Sequence, residues 1–376
     1  MKTFCSIFFV LLTIFFFWTN RSYSQNQHLI SNVNLIDVES GEIVTNQNVL
    51  TLNGIIHSIT DEKPLNSSYD EIDGKGKYLI PGLINMYTHV NEDNLWLYLA
   101  NGQTTVKDAP SHLTALGLRD RIDNGEIIGP RIFAVGLRAT GMPSAYSTQQ
   151  PSRTPEEAIT QVQEAKRLGY DGMFIYGSCD PDTYQPILDE AKRLEFPISG
   201  HFPQNVDLDR AINGSQESFD NLTGITRRGK LRFDKEEFIE GLKASGKVLT
   251  PTLTIHRLWS KSDKKDSIYN TIRKEYIPNK MKANWLPIVN GPGSYPYHEV
   301  EKLVKELYQN GIQLFIGSDG GFPLVINGFA YHDEIENFSR LGISNEAILK
   351  MATIQSAKHL GYQNLGLKSN FLGLTK

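Results

Sequence analysis

Two rhythms of apolar and polar residues divide the chain. In the first, residues 28–60 read as strands. Val49-Leu50-Thr51-Leu52 and Ile55-Ile56-His57-Ser58-Ile59 flank Asn53-Gly54. A two-residue Asn-Gly link predicts a hairpin with a type I′ turn, because both residues tolerate positive φ. An earlier turn is expected near Ser40-Gly41, and Pro64 to Ser68 reads as a polar loop.

From Leu79 the rhythm changes to short apolar runs alternating with helical patterns. The predicted strands are Leu83–His89, Thr104–Asp108, Arg131–Gly136, Gly172–Tyr176, Phe196–Gly200, Gln216–Phe219, Val248–Leu253 and Gln313–Ile316. Predicted helices between them include Pro155–Leu168 behind the N-cap candidate Thr154, Pro181–Leu194, Lys235–Ser245 and His298–Gln309. Strands separated by helices give a parallel sheet. Eight such units fit a closed (β/α)8 barrel of the TIM type, with its active site at the carboxyl ends of the strands. The alternative, an open doubly wound sheet, favours a glycine-rich phosphate loop, and no G-x-G-x-x-G occurs.

The first residues carry a different signal. Lys2 precedes an apolar run from Phe4 to Trp18, and Ser22 and Ser24 are small residues suited to a cut before Gln25. This is the pattern of a secretory leader, and the run falls short of the ~20 residues of a membrane span. The chain is therefore expected to be exported, touching a membrane only during export; an uncleaved N-terminal anchor is the alternative. Cys5 lies at the start of the apolar run and not after it, so it cannot be a lipoprotein's lipidated cysteine. After cleavage only Cys179 remains, so a disulfide scaffold is excluded.

Composition narrows the classes further. Of 376 residues, 40% are hydrophobic and 21% charged, which excludes a disordered or collagenous chain. The net charge of -4, from 38 basic and 42 acidic residues, gives no footprint for nucleic acid. The expected partner is a small molecule, and the oligomeric state is not legible.

The chemistry lies at the strand ends. The first reads Leu79-Ile80-Pro81-Gly82-Leu83-Ile84-Asn85-Met86-Tyr87-Thr88-His89, and it is followed by Asn101-Gly102-Gln103-Thr104-Thr105-Val106-Lys107-Asp108, Gly129-Pro130-Arg131, Ser199-Gly200-His201, Gly317-Ser318-Asp319-Gly320 and Ala352-Thr353. In these motifs, taken in order from about Asn34 to Gly361, the chain resembles the amidohydrolase superfamily, near its imidazolonepropionase-like and secreted peptidase-like branch. The resemblance implies a metal-bearing barrel with a β-sandwich made from both chain ends. It also implies hydrolysis of C–N bonds in amides, cyclic amides or dipeptides by a metal-activated water. The expected organisation is a leader over 1–24, a small β domain over 25–79, the barrel over 80–362 and a tail over 363–376.

The family's two-metal site takes two His from H-x-H on the first strand, a carboxylated Lys, two further His and an Asp. By resemblance, His89, His201 and Asp319 are retained as metal ligands, and Asp319 also as the catalytic proton shuttle. Tyr87 stands at the first His, Phe174 at the bridging Lys and Asn221 at the strand-six His. Phe174 has no lone pair and no amine to carboxylate, so two unshielded dications would repel across it. Tyr87 is a weak ligand while its phenol stays protonated. Asn221 offers a neutral oxygen where zinc prefers imidazole, thiolate or carboxylate. The expectation is at most one divalent ion, zinc first, on His89, His201 and Asp319, or none if these are relics in a packed pocket. His256 and Tyr176 are expected to contact substrate; His112, His298 and His332 are weaker candidates.

Family chains continue past the A-T-x-x-x-A-x-x-L-G helix into a strand that returns to the β-sandwich. Here the sequence stops at Lys376, so that strand is expected to be missing. Three readings follow: an impaired one-metal hydrolase, an inactive ligand-binding relative, or a truncated gene product. The leader yields a direct test. Intact mass of protein exported by its native host should show loss of residues 1–24, and a full-length mass in a soluble fraction would refute the cut.

Overall fold

A computed structural model describes residues 27–65, 69–109, 114–140, 151–260, 273–277 and 296–362. The leader and its cut, His112 and the tail 363–376 lie outside the described residues. The chain divides into two compact units. One takes in the chain up to Leu35 together with Val44–Leu79, and the other takes in Ile36–Ile43 and the chain from Ile80 onward.

The small unit is a β-sheet. Its strands are β1 (Gln27–Ile36), β2 (Ile43–Leu52), β3 (Ile55–Thr60), β4 (Asp70–Asp73) and β5 (Tyr78–Leu79). Their order is β3-β2-β1-β4, with β5 also on β1. Along β1 the alternate residues Leu29, Ser31, Val33 and Leu35 are buried, as the two-residue strand period dictates. The β2–β3 hairpin turns as its sequence predicts, with φ of 51° at Asn53 and 79° at Gly54.

The large unit alternates strands and helices. β6 (Leu83–Thr88), β7 (Gln103–Asp108) and β8 (Arg131–Phe133) form one parallel sheet. A second parallel sheet joins β9 (Val135–Ala139), β10 (Gly172–Ile175), β11 (Ile198–Gly200), β12 (Ser218–Asp220) and, after a small hairpin of β13 (Thr226–Arg227) and β14 (Lys230–Leu231), β15 (Val248–Thr250). The helices are α1 (Leu95–Ala100), α2 (Ala115–Asp123), α3 (Pro155–Arg167), α4 (Pro181–Arg193), α5 (Leu208–Asn213), α6 (Lys235–Ser245), α7 (Leu253–Ser260), α8 (Tyr297–Gln309), α9 (Phe329–Arg340) and α10 (Asn345–Lys350). Local chemistry sets their ends. Thr154 accepts from the Glu157 amide to cap α3, with Pro155 at the first helical position, and α6 stops at Gly246 with φ of 66°. The apolar stripe of α3, Ala158, Val162 and Ala165, is fully buried.

Three predicted strands differ in the structure. Arg131–Gly136 is broken at Ala134, whose N–H donates to the Asp171 carboxylate at 2.8 Å instead of to a neighbouring strand. Val248–Leu253 ends at Thr250, because Pro251 has no N–H to donate and Thr252 turns left-handed at φ 50°, so that Leu253 begins α7. Gln313–Ile316 forms isolated bridges only. Its backbone nevertheless bonds on both sides, Phe315 N to Leu249 O at 2.8 Å and Met86 N to Ile316 O at 2.9 Å, so it lies between β15 and β6.

The buried interior also holds charge. Lys107 Nζ of β7 lies 2.7 Å from Asp220 Oδ2 of β12, and Asp220 Oδ1 accepts from Ser218 and Thr250 hydroxyls at 3.1 and 3.0 Å. Removing one partner of such a pair strands the other charge away from water, which costs about 3–5 kcal/mol. Lys107→Met should therefore lower unfolding free energy by about that amount. The double change Lys107→Met with Asp220→Leu should cost less, as measured by urea unfolding; equal losses would mean the pair contributes only shape.

Candidate active site

The strand ends deliver their side chains into one place. Tyr87 lies on β6 and His89 one residue past its end, two positions apart and so on one side of the strand. Phe174 on β10 and Tyr176 just beyond it repeat that spacing. His201 follows β11, where Gly200 has φ of 133° and an added Cβ would sit 2.2 Å from the Ile175 carbonyl oxygen. Only glycine allows β11 to approach β10 this closely, and that approach aims His201 inward. Asn221 follows β12 at φ 62°, and Asp319 stands at φ 53°; Asn and Asp are the side chains that best tolerate this left-handed backbone.

Tyr87, His89, Phe174, Tyr176, His201, Asn221, His256 and Asp319 all line a single cavity of about 300 Å³. Every site residue expected from the sequence and lying within the described chain is thus in one pocket. Thr223, Ile255, Trp259 and Phe322 complete it and were not anticipated. One signal for Trp259 was present: it follows His256 by three residues, which on a helix shares its face. Of the weaker candidates, His298 is exposed beside Glu299 and His332 is an exposed ring against the Asn101 carbonyl.

Asp319 is the centre of the pocket's polar chemistry. Asn221 Nδ2 donates to its Oδ2 at 2.9 Å. Asn221 is held in that sense because its own oxygen accepts from the Thr223 amide and hydroxyl at 3.0 and 3.1 Å. The other carboxylate oxygen, Oδ1, is buried and accepts no hydrogen bond. It stands 3.0 Å from His89 Nε2. The far nitrogen of that ring, Nδ1, meets the Ala109 carbonyl at 2.6 Å, so it donates there and turns Nε2 toward Asp319. His201 is engaged differently, with Nε2 3.2 Å from the Tyr87 hydroxyl and Nδ1 accepting from the Gly177 amide at 3.3 Å. His256 is fully enclosed, and burial pushes its imidazole down to about 4, so it is neutral at pH 7.

This geometry decides how a metal would fit. An imidazole anchored to a carbonyl and aimed at a carboxylate oxygen is an arrangement that two ligands of one ion adopt, and equally that of a charged His–Asp pair. Two donors therefore converge, His89 and Asp319. Among the described residues no cluster of three His, Cys, Asp or Glu has metal-site spacing. His201, expected as the third ligand, lines the same cavity and lies against Tyr87 and Gly177. Phe174 gives the pocket an apolar ring, and Asn221 turns its amide N–H₂, a donor, toward Asp319.

The site is a half-polar, half-aromatic pocket at the carboxyl ends of parallel strands, where α/β folds of this kind place their small-molecule sites. Residues 78–367 match the amidohydrolase family, and the chain belongs to it. An adenine deaminase from Serratia proteamaculans is 23% identical over 347 residues, covering 90% of this chain and 51% of that protein. The chain thus spans about half the length of that relative. Among solved structures, a bottromycin amidohydrolase has a TM-score of 0.70 at 20% identity, covering 89% of this chain and 78% of its own. A Xaa-Pro dipeptidase has a TM-score of 0.69 at 19% identity, covering 91% of each chain. These two likenesses establish the fold.

The buried His256 makes a prediction about acid. Its folded value of about 4 lies below the unfolded value of 6.5, so it contributes stability fully present above pH 6.5 and lost as pH falls toward 4. His256→Asn should remove this share, reducing the loss between about pH 7 and pH 4.5 by roughly 1–3 kcal/mol. Urea unfolding at both pH values checks it; an unchanged pH dependence would place the imidazole in contact with water.

Proposed function

We propose that this chain is an amidohydrolase-family hydrolase of C–N bonds in small amides, cyclic amides or dipeptides, limited to one weakly held divalent ion and therefore slow. The two parallel sheets and the segment Gln313–Gly320 between them are read as the eight-stranded barrel, with the site at its carboxyl end. The observation that carries the proposal is Asp319 Oδ1, a buried carboxylate oxygen without a hydrogen bond, 3.0 Å from His89 Nε2. A carboxylate oxygen left this way is costly unless a cation meets it.

The ion supplies a water that ionises near neutral pH. The chain's own residues do the remainder. His89 is held by the Ala109 carbonyl so that Nε2 faces the pocket. Asn221 holds Oδ2, so Oδ1 would hold the ion, and the carboxylate would pass the water's proton to the leaving nitrogen through Oδ2 once the Asn221 bond opens. Tyr176 and His256 contact the ligand, and Phe174, Trp259 and Phe322 exclude water around it. Zinc is the first expectation for the ion from one imidazole and one carboxylate. No second ion is available to polarise the carbonyl, which is why turnover is slow.

A specific observation favours a second reading. The Asn221 amide satisfies half of Asp319 without any metal, as suits an inactive relative that only binds its ligand. A panel of Xaa-Pro dipeptides, cyclic amides and adenine, assayed with zinc and with a chelator, separates the two. Slow hydrolysis abolished by the chelator and by Asp319→Asn is expected. Phe174→Lys alone should give no gain, because Tyr87 and Asn221 still lack ligand chemistry. Brisk turnover, or turnover indifferent to chelator, would overturn the proposal, and binding without turnover would establish the second reading.

A further inference from the structure

One wall of the pocket rests on a carboxylate that the chemistry above does not use. Glu334 of α9 is fully buried. Its Oε1 accepts from the Leu253 amide at 2.7 Å, and its Oε2 accepts from the Thr254 amide and hydroxyl, each at 2.7 Å. Asn337, one turn on, donates to the same Thr254 hydroxyl at 3.1 Å and accepts from Arg257 Nη1 at 3.1 Å. Leu253 and Thr254 are the first residues of α7, whose leading N–H groups have no partner within the helix. α7 is the helix that carries Ile255, His256 and Trp259 to the cavity.

The start of α7 also needs holding. Thr252, directly ahead of it, is β-branched yet left-handed at φ 50°, a conformation that costs about 1–3 kcal/mol and persists only where its surroundings impose it. Its buried hydroxyl has no hydrogen-bond partner. Glu334 supplies the constraint from across the interface, with a negative charge at the positive end of the helix dipole.

We propose that Glu334 is the positioning residue of the pocket wall: it fixes α7 so that His256 and Trp259 face the cavity, and taking up a proton loosens them. The reason is donor counting. Every group facing the carboxylate at hydrogen-bond distance is a donor, so an ionised Glu334 satisfies all of them. A protonated one places its own hydrogen against an amide N–H, opening that cap bond, or forces the Thr254 hydroxyl to reverse from donor to acceptor, and either change weakens the hold on the helix start. Burial works against the ionised form and pushes the carboxyl up to about 7, so both forms are accessible near neutrality. The other titratable groups around it are His256 and Arg257 on α7, Tyr297 and Glu301 on α8, and Tyr331 and Asp333 on α9. His256 is pushed the other way, to about 4, and Tyr297 and Tyr331 are both pushed upward by burial, so none of these three titrates near 7. The inference rests on the pocket's construction and not on the ion or on turnover.

The test uses the mature chain without ligand. Hydrogen exchange of the Leu253 and Thr254 amides, corrected for intrinsic rates, should show protection falling about fivefold between about pH 8 and pH 6. Trp259 emission, assigned by subtraction of Trp259→Phe, should change over the same interval with one midpoint near 7. Glu334→Gln should abolish both transitions. Should that variant fail to fold, Thr254→Val removes one donor to the carboxylate and should move the wild-type midpoint up by about half a pH unit. Flat protection and emission across neutrality in the wild-type chain, a transition that survives Glu334→Gln, or a midpoint unmoved by Thr254→Val would each overturn the proposal. A transition surviving Glu334→Gln would assign it to a pocket histidine instead.

Discussion

The contact between Asp319 and His89 is the constraint on which the pocket depends. Both side chains are largely buried, at 4% and 14% exposure, so neither can look to bulk water for compensation. Bringing them together requires the Gln313–Gly320 segment to bond on both flanks, to β15 through Leu249 and to β6 through Met86 and Tyr87. It also requires a left-handed Asp319, for which short side-chain acceptors are best suited. With Asn221 holding one oxygen and His89 flanking the other, the carboxylate has one direction left in which to act.

Around this pair the pocket has exchanged charge for aromatic surface. Tyr87, Phe174 and Asn221 line it with a phenol, a benzene ring and an amide, at positions where the resemblance leads one to expect metal ligands. The exchange has consequences beyond lost ligands. Tyr87 takes up His201, and its ring packs near Phe174 at a centroid distance of 6.1 Å. His201 stacks edge-on to Phe174 at 5.2 Å and lies 4.9 Å from Tyr176. A histidine that keeps its place in the sequence is thus redirected by its neighbours, and its chemistry changes although its identity does not. On the opposite wall α7 meets α9 through Glu334, whose carboxyl burial raises and hydrogen bonds from Thr254 and Leu253 lower.

Much of this was legible in the sequence because it depends on local rules. The two-residue strand period places Tyr87 with His89, and Phe174 with Tyr176, whatever the tertiary structure. Asn53-Gly54 specifies its own turn, and Thr154-Pro155 its own helix start. The strand ends were harder, since Ala134, Thr252 and the Gln313–Ile316 stretch are shaped by partners distant in sequence, such as Asp171 and Leu249. The orientation of His201 was not legible at all, because it is set by a hydroxyl 114 residues away. Trp259 and Phe322 were missed for a related reason: they enter the pocket from α7 and from the turn after Asp319, and neither belongs to a strand end. The role of Glu334 is not legible in the sequence, since nothing near it in the chain reveals that it faces the first turn of another helix.

The central claim is that one ion, and no more, is held by His89 and Asp319 while His201 stands apart. Metal content per chain, measured by elemental analysis after equilibration with zinc, tests it most directly when the purified protein is compared with His89→Ala, Asp319→Asn and His201→Ala. The account predicts close to one zinc in the unaltered chain and in His201→Ala, and none in the other two. Two zinc ions in the unaltered chain, or a loss in His201→Ala as complete as in Asp319→Asn, would contradict it.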